Sequence, residues 1–296
     1  MQKNLLACLA LASLASLNVN AASRSSGSSF PWGPTVIYGD DNRLDLYQVT
    51  NTQHLDLADS TVALVKSTSI VAGAADVSTL QARTFGEAFN LCAEEPFREQ
   101  KSAAFCSGFL VNEDTVVTAG HCIRGPSDCS STKFVFGYGL KTPTANYTEV
   151  RNEEIYSCQS ITHTEVNGRG ADFAVIKLDR RVLNHRALEM RREGAPAIGS
   201  EMVVIGHPSG LPTKVAAGAT VRRLDTGYFV ASLDTYGGNS GSAVFNNTDG
   251  KVEGILVRGE TDFRNQGSCT VSNRCAADGC RGEDVTLIST VLSHIP

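Results

Sequence analysis

The sequence predicts an all-β fold, arranged as a sandwich or a barrel. Short apolar runs rich in Val, Ile, Phe and Thr recur between Gly, Asn, Asp and Pro residues, and runs of this length and spacing are typical of strands. One segment has helical spacing instead, because apolar residues recur there at steps of three and four residues, which predicts a C-terminal α-helix. The strand-like runs lie at 107–111, 115–118, 133–138, 173–178, 201–206, 228–233, 242–245 and 252–257, and the helical spacing involves Val285, Ile288, Leu292 and Ile295.

The N-terminal end predicts export. Lys3, an apolar run at 5–17 and small residues near Ala21 are typical of a secretory signal peptide over residues 1–21. No stretch approaches the roughly 20 apolar residues that a membrane span needs. The LLAC sequence at 5–8 resembles a lipoprotein cleavage box, but a cut there would leave almost no apolar region before the cysteine. We expect a secreted protein, extracellular or periplasmic, that does not associate with membranes.

Composition and charge limit the function classes. A net charge of −5 gives no reason to expect a nucleic acid or an anionic membrane as partner. Nine cysteines become eight when the signal peptide is removed, and an even number in an exported chain predicts up to four disulfides. The paired CxxC motifs of zinc sites are absent from the sequence, so we predict neither a metal nor a cofactor.

Three segments carry residues suited to peptide hydrolysis by a serine, which needs a base, an acid that holds the base, and donors for an oxyanion. His121 lies in TAGHC at 118–122, Asp172 begins the strand-like run DFAVIKL, and Ser240 lies in GGNSGS at 237–242. Taken singly, a histidine or a strand-end aspartate is more often structural, and a Gly-Ser cluster usually forms a turn.

Together with CSG at 106–108, these segments resemble the trypsin-like serine peptidases, which carry His, Asp and Ser in this chain order. The resemblance covers roughly residues 36–260 and implies two six-stranded antiparallel barrels packed together. Residues 36–185 would form the N-terminal barrel and 186–296 the C-terminal barrel with its helix. The polar segment 183–199 is the candidate crossing between the two barrels. Residues 22–35 are rich in Ser, Gly and Pro, and we expect them to form a flexible leader or pro-segment.

The resemblance also implies roles for individual residues. His121 would be the general base, Asp172 would hold it, and Ser240 would attack, with the N–H groups of Gly238 and Ser240 as the oxyanion hole. It further implies a disulfide between Cys106 and Cys122. A lipase-type elbow does not fit, because that family places its histidine after the serine, where this chain has only one histidine, in the predicted terminal helix.

GGNSGS, VIGHP at 204–208 and VIYGDD at 36–41 resemble the bacterial branch that contains the staphylococcal glutamyl endopeptidase. In that branch a Thr at the position of Thr235 helps to hold a substrate carboxylate, but Leu256 stands where a histidine is usual. Arg258 would supply positive charge if it points inward. Asp234 stands where trypsin carries the acid that selects Lys or Arg. These four residues are the predicted substrate-binding set, and the preferred residue stays open, with a lean away from strict glutamyl specificity.

Asn239 stands where pancreatic-type members carry an Asp that pairs with the freed N-terminus, so we expect no activation by that ion pair. Cleavage of the leader after Thr35 would make Val36 the mature N-terminus. For the remaining cysteines we expect Cys129 to pair with Cys158. The three tail cysteines, at positions 269, 275 and 280, should cross-link a loop near the pocket mouth.

The sequence therefore predicts a secreted serine endopeptidase, monomeric and without cofactor, that hydrolyses protein or peptide substrates through an acyl-enzyme. Two alternatives stay open: a catalytically inactive protease-like binding module, and an esterase that uses the same triad.

Overall fold

The computed structural model describes residues 36–168 and 170–296, so the predicted signal peptide and leader lie outside the described residues. Within these two ranges, no helix is both long enough and apolar enough to cross a membrane.

Short strands account for most of the regular structure in the described ranges. In chain order they are β1 (Ile37–Tyr38), β2 (Arg43–Asp45), β3 (Thr61–Lys66), β4 (Ile70–Ala72), β5 (Val77–Leu80), β6 (Ala104–Asn112), β7 (Thr115–Thr118), β8 (Thr132–Val135), β9 (Glu149–Arg151), β10 (Ile155–Val166), β11 (Asp172–Leu178), β12 (Glu201–Gly206), β13 (Lys214–Asp225), β14 (Tyr228–Ala231), β15 (Ala243–Asn246), β16 (Val252–Arg258), β17 (Phe263–Gln266), β18 (Cys269–Ser272), β19 (Arg274–Cys275) and β20 (Glu283–Leu287). Three short α-helices are α1 (Thr52–Ala58), α2 (Phe85–Phe89) and α3 (Pro126–Ser131).

Six strands close the first barrel, in the order β10-β11-β7-β6-β3-β8, with antiparallel neighbours throughout. β-branched and aromatic side chains fill it, as expected for positions that face inward on every strand. Val62, Phe109, Val117 and Ile176 are fully buried there.

The second barrel runs β12-β15-β16-β20-β14-β13, and β13 closes it by pairing with β12. The predicted fold of two six-stranded antiparallel barrels is therefore confirmed. One strand departs from the boundary drawn from the sequence, because β2 pairs with β13 and so extends the second sheet although it precedes the first barrel in the chain.

The C-terminal end is not the predicted α-helix. Val285 lies in β20, between β14 and β16, and the residues after it form two 3-10 turns, Ile288–Thr290 and Leu292–His294. The spacing of apolar residues reflects burial, since Ile288 and Val291 are both buried in the core. They are joined by a 3-10 turn, in which the Val291 N–H donates to the Ile288 carbonyl at 2.9 Å, and not by an α-helix. β-branched residues such as Val285 and Thr286 favour the strand.

Four disulfides cross-link the chain: Cys92–Cys269, Cys106–Cys122, Cys129–Cys158 and Cys275–Cys280. The expected tail cross-link is only partly right, because two tail cysteines pair with each other while Cys269 reaches back across 177 residues to Cys92. The N–H of Cys92 donates to the Thr270 carbonyl at 2.9 Å, which places Cys92 beside β18.

His185 fixes the crossing segment to the first barrel. Its Nδ1 lies 2.9 Å from Asp59 Oδ2, its Nε2 lies 2.6 Å from Glu154 Oε2, and its ring stacks on Phe136 at 4.4 Å between centroids. Burial alone would lower the pKa of His185, but the two carboxylates outweigh burial and raise this pKa to about 9.

A raised histidine pKa contributes stability that is complete below the unfolded pKa and is lost as the pH rises through the folded pKa. Between pH 6.5 and 9, the free energy of unfolding should therefore fall more steeply in the wild type than in His185→Gln. Urea unfolding at a series of pH values measures both slopes. Parallel slopes in the two proteins would contradict the account of His185.

Candidate active site

The end of β7 sets the position of His121. A 3-10 turn, Gly120–Cys122, follows the strand. A Cβ on Gly120 would overlap the carbonyl oxygen of Glu165 and lie 2.8 Å from that of Phe173, so only glycine lets the turn rest on β10 and β11. His121 consequently lies beside the first residue of β11.

That first residue is Asp172, and it binds His121 twice. Asp172 Oδ1 accepts the backbone N–H of His121 at 3.0 Å, and Asp172 Oδ2 lies 2.8 Å from His121 Nδ1. The carboxylate is buried, and its backbone N–H donates to Thr286 Oγ1 of the second barrel at 3.3 Å. The two bonds to His121 fix both the ring orientation and a proton on Nδ1, which leaves Nε2 as the basic nitrogen.

Ser240 lies on a loop between β14 and β15 that Ser107 of β6 holds from the first barrel. The N–H of Ser107 donates to the Ser240 carbonyl and its Oγ donates to the Gly238 carbonyl, both at 2.8 Å. Ser107 Oγ also accepts the N–H of His207 at 2.9 Å. The Sγ of Cys122, next to His121 in the chain, lies 3.7 Å from the Ser240 carbonyl oxygen, so the two motifs are in contact.

Two glycines give this loop its path. Gly238 has φ +97° and Gly241 has φ +91°, in the region that L-residues with a side chain rarely adopt. A Cβ on Gly241 would overlap the Ser107 carbonyl oxygen and lie 2.9 Å from the Ala119 nitrogen. The glycines on both sides of Ser240 are thus required by backbone shape and by contact with the segment that precedes His121.

The backbone donors of this loop divide into two groups. The N–H groups of Gly237, Asn239 and Gly241 donate to Asp262 Oδ2, Tyr236 O and Leu256 O respectively. In the two described ranges, the N–H groups of Gly238 and Ser240 have no hydrogen-bond acceptor.

The residues predicted to bind substrate are occupied with other partners. Asp234 accepts the N–H groups of Tyr38 at 2.7 Å and Asn42 at 2.9 Å, so it binds the segment that begins the described chain. Burial raises the pKa of Asp234 to about 6, against the two backbone hydrogen bonds that favour the charged form. Leu256 is buried in the core of the second barrel, where it pairs with Val285.

Arg258 points toward Asp172. Its Nη1 lies 3.6 Å from Asp172 Oδ2, its Nε lies 3.4 Å from Asp284 Oδ2, and its Nη2 donates to the Gly170 carbonyl at 3.2 Å. The predicted pocket cation is therefore held by two carboxylates, one of which holds His121. No motif indicated this arrangement, because Arg258 and Asp284 pair between β16 and β20 of the second barrel and meet Asp172 only when the first barrel packs against them.

Glu283 is a further residue that the sequence analysis missed. It is fully buried, and its carboxylate accepts from Thr235 Oγ1 at 3.3 Å, Tyr38 Oη at 3.2 Å and the Glu260 N–H at 3.3 Å. Burial raises the pKa of Glu283 well above its usual range. The predicted ligand-binding hydroxyl, Thr235, thus donates to a carboxyl of the chain itself, and Gly259 provides the space for that carboxyl.

These features define a serine-hydrolase arrangement on a two-barrel fold, and the comparisons agree. The profile of the family described as trypsin-like peptidase domain matches residues 106–255, just over half of the 296 residues. The chain belongs to this family and is a serine endopeptidase.

Snake venom enzymes are among its relatives. Snake venom serine protease 1 from Craspedocephalus gramineus is 28% identical over 221 residues, covering 66% of this chain and 78% of the relative. Bradykinin-releasing enzyme KR-E-1 from Gloydius ussuriensis is 30% identical over 182 residues, covering 52% of this chain and 74% of the relative. Among solved structures, a Glu endopeptidase in complex with MPD has a TM-score of 0.49 at 17% identity, covering 88% of this chain and 97% of its own.

Gly241→Ala should disrupt the serine loop, because the new Cβ meets both a positive φ and the Ser107 carbonyl oxygen. We expect a loss of more than about 2 kcal/mol in the free energy of unfolding, together with a loss of peptidase activity. Chemical denaturation and turnover of a peptide substrate measure the two effects.

Gly227→Ala is the matched control. Gly227 has φ +79° in the turn between β13 and β14, and a Cβ there would have no atom within 4 Å. The Gly227→Ala variant should lose only about 1–2 kcal/mol in the free energy of unfolding, from backbone strain at the positive φ, and should keep its activity. Equal losses of stability in the two variants would show that the contact with Ser107 does not matter.

Proposed function

We propose that His121, Asp172 and Ser240 act as the catalytic triad and that the protein hydrolyses peptide bonds through an acyl-enzyme on Ser240. The observation that carries the proposal is the pair of bonds from Asp172 to His121, with Nδ1 of the ring held by the carboxylate at 2.8 Å. This arrangement leaves Nε2 to take the proton of a serine hydroxyl.

The first half-reaction follows from these roles. Ser240 Oγ attacks the carbonyl carbon of the scissile bond while His121 Nε2 takes its proton, and Asp172 stabilises the imidazolium that forms. The oxyanion lies against the N–H groups of Gly238 and Ser240, whose lack of an acceptor in the described ranges supports this role. The His121 imidazolium then gives its proton to the leaving amine as the bond between carbon and nitrogen breaks, and Ser240 is left acylated.

The second half-reaction returns the enzyme to its starting state. Water loses a proton to His121 Nε2 as its oxygen attacks the acyl carbon, and the same oxyanion donors act again. The new carboxylic acid leaves when Ser240 Oγ recovers its proton from His121. Every proton moves between groups of the chain, substrate and water.

We also propose that the protein is exported and loses residues 1–21 as a signal peptide. Four disulfides support this, because such bonds persist in oxidising compartments outside the cytosol. Cleavage of the leader after Thr35 remains part of this proposal.

Ser240→Ala should lower kcat/KM on a peptide substrate by about four to six powers of ten, because triad members act as a unit. A fluorophosphonate should label the wild type on Ser240 and leave the variant unlabelled. Peptide mapping by mass spectrometry identifies the labelled serine.

Ser242→Ala is the control within the same motif. Ser242 Oγ donates to Asn239 Oδ1 at 3.1 Å, so this variant loses one local bond and should keep activity within about tenfold. Label on Ser242 instead would refute the assignment. A folded wild type that takes no label would favour the inactive binding module, and a labelled protein that cleaves esters but no peptide would favour the esterase.

Arg258 is proposed to be a positioning residue and not a reader of the substrate side chain. Because its guanidinium is bound to Asp172 and Asp284, Arg258→Met should lower kcat/KM by about ten- to a hundredfold through displacement of Asp172. The ranking of preferred residues in a peptide library should stay the same, and Arg258→Lys should recover part of the loss. A changed ranking would show that Arg258 binds the substrate.

A further inference from the structure

A second cluster of ionisable side chains lies outside the proposed triad. His163 and Glu165 lie on β10, and His294 belongs to the 3-10 turn that ends the chain. One donor atom from each of the three residues lies within 4.8 Å of the donor atoms of the other two. All three side chains are half-buried.

The two strand residues present their donors side by side. Residues two apart on a strand share a face, and His163 Nε2 lies 3.6 Å from Glu165 Oε2. Zinc bonds of about 2.1 Å at the tetrahedral angle place two donor atoms about 3.4 Å apart, so this pair is already near the required separation. In the described ranges, His163 Nε2 is buried without a hydrogen-bond partner.

His294 faces His163 across the cluster. Their rings stack with centroids 3.8 Å apart, and Phe173 lies beneath both, at 5.3 Å from His163 and 5.5 Å from His294. The turn that carries His294 is anchored because Val291 is fully buried in the core. To bind one ion together, one of the two rings must rotate out of this stack, because an imidazole nitrogen binds a metal in the plane of its ring.

The neighbour of Glu165 supports the same use. Asn167 Nδ2 donates to Glu165 Oε1, which leaves Oε2 directed toward His163. A hydrogen bond to the second oxygen is how proteins commonly orient a metal-binding carboxylate.

We propose that His163, Glu165 and His294 bind one divalent transition-metal ion, with Zn²⁺ as the cation that fits two imidazoles and a carboxylate best. Ca²⁺ and Mg²⁺ favour sites made of oxygen alone, so they should bind poorly. The fourth position is left to water. The sequence predicted no metal because it lacks paired CxxC motifs, and these donors come together only when the C-terminal turn packs on β10.

The bound ion would tie the C-terminal turn to the first barrel. β10 also lies against Gly120, beside His121, so the ion stiffens the strand on which the turn that carries His121 rests. Because a ligand that binds only the folded chain stabilises it, Zn²⁺ at a hundredfold excess over its Kd should raise the Tm by about 5 °C or more.

The test is isothermal titration calorimetry of chelator-treated, dialysed full-length mature protein with ZnCl₂, followed by thermal unfolding. We expect one equivalent of Zn²⁺, the rise in Tm, and no rise with CaCl₂ or MgCl₂. Replacement by Co²⁺ should give the visible absorption of a four-coordinate nitrogen and oxygen site. His294→Ala and Glu165→Gln should each weaken binding by about tenfold or more.

His54→Gln is the control, because His54 lies outside the cluster and pairs with Asn247 at 3.0 Å. It should bind Zn²⁺ as the wild type does. The Tm of each metal-free variant shows whether it is folded. If His294→Ala does not fold, Glu165→Gln, which keeps its acceptor for Asn167, provides the test of binding. Absence of Zn²⁺ binding, or binding that is unchanged in both cluster variants, would overturn the proposal and leave the cluster as a stacked aromatic contact on Phe173.

Discussion

The site depends on the way Ser107 joins the two barrels. This one residue of β6 binds the carbonyls of Ser240 and Gly238 and the N–H of His207, all at 2.8–2.9 Å. The loop that carries the proposed nucleophile belongs to the second barrel, while His121 and Asp172 belong to the first. Because hydrogen bonds are short and directional, the two bonds from Ser107 to the loop fix it far more closely than apolar packing alone, and the third bond holds the segment that follows β12.

Buried acid groups make a second connection, between the start of the described chain and the second barrel. Asp234 binds the backbone of Tyr38 and Asn42, and Glu283 binds the Tyr38 hydroxyl, so the start of the described chain is fastened to the second barrel. Carboxyls buried in this way cost desolvation free energy and are retained only where hydrogen bonds satisfy them. Both lie within a few residues of the loop or strand that would contact substrate. These two acid groups therefore hold the protein's own chain in place.

The features that could be predicted from the sequence are those that short motifs determine. TAGHC, DFAVIKL and GGNSGS each place one residue in a local structure that depends on its neighbours, such as the glycines that flank Ser240, and the fold brought His121 and Asp172 into contact as expected. Contacts between distant segments were not predictable in the same way. Arg258, a predicted source of positive charge for the substrate if it points inward, lies beside Asp172, and no motif indicated this contact. Apolar spacing predicted burial at the C-terminal end, but β20 pairs with two strands, and this pairing outweighed the helical pattern.

The central claim is that one hydroxyl, one imidazole and one carboxylate act together on a peptide carbonyl. The most direct measurement is a crystal structure of the mature protein with a peptidyl boronic acid, whose adduct resembles the tetrahedral intermediate. We expect a bond from boron to Ser240 Oγ and one boronate oxygen within hydrogen-bond distance of the Gly238 and Ser240 nitrogens. His121 Nδ1 should remain hydrogen-bonded to Asp172. Boron bonded to another residue, or both boronate oxygens beyond hydrogen-bond distance of these nitrogens, would contradict this mechanism.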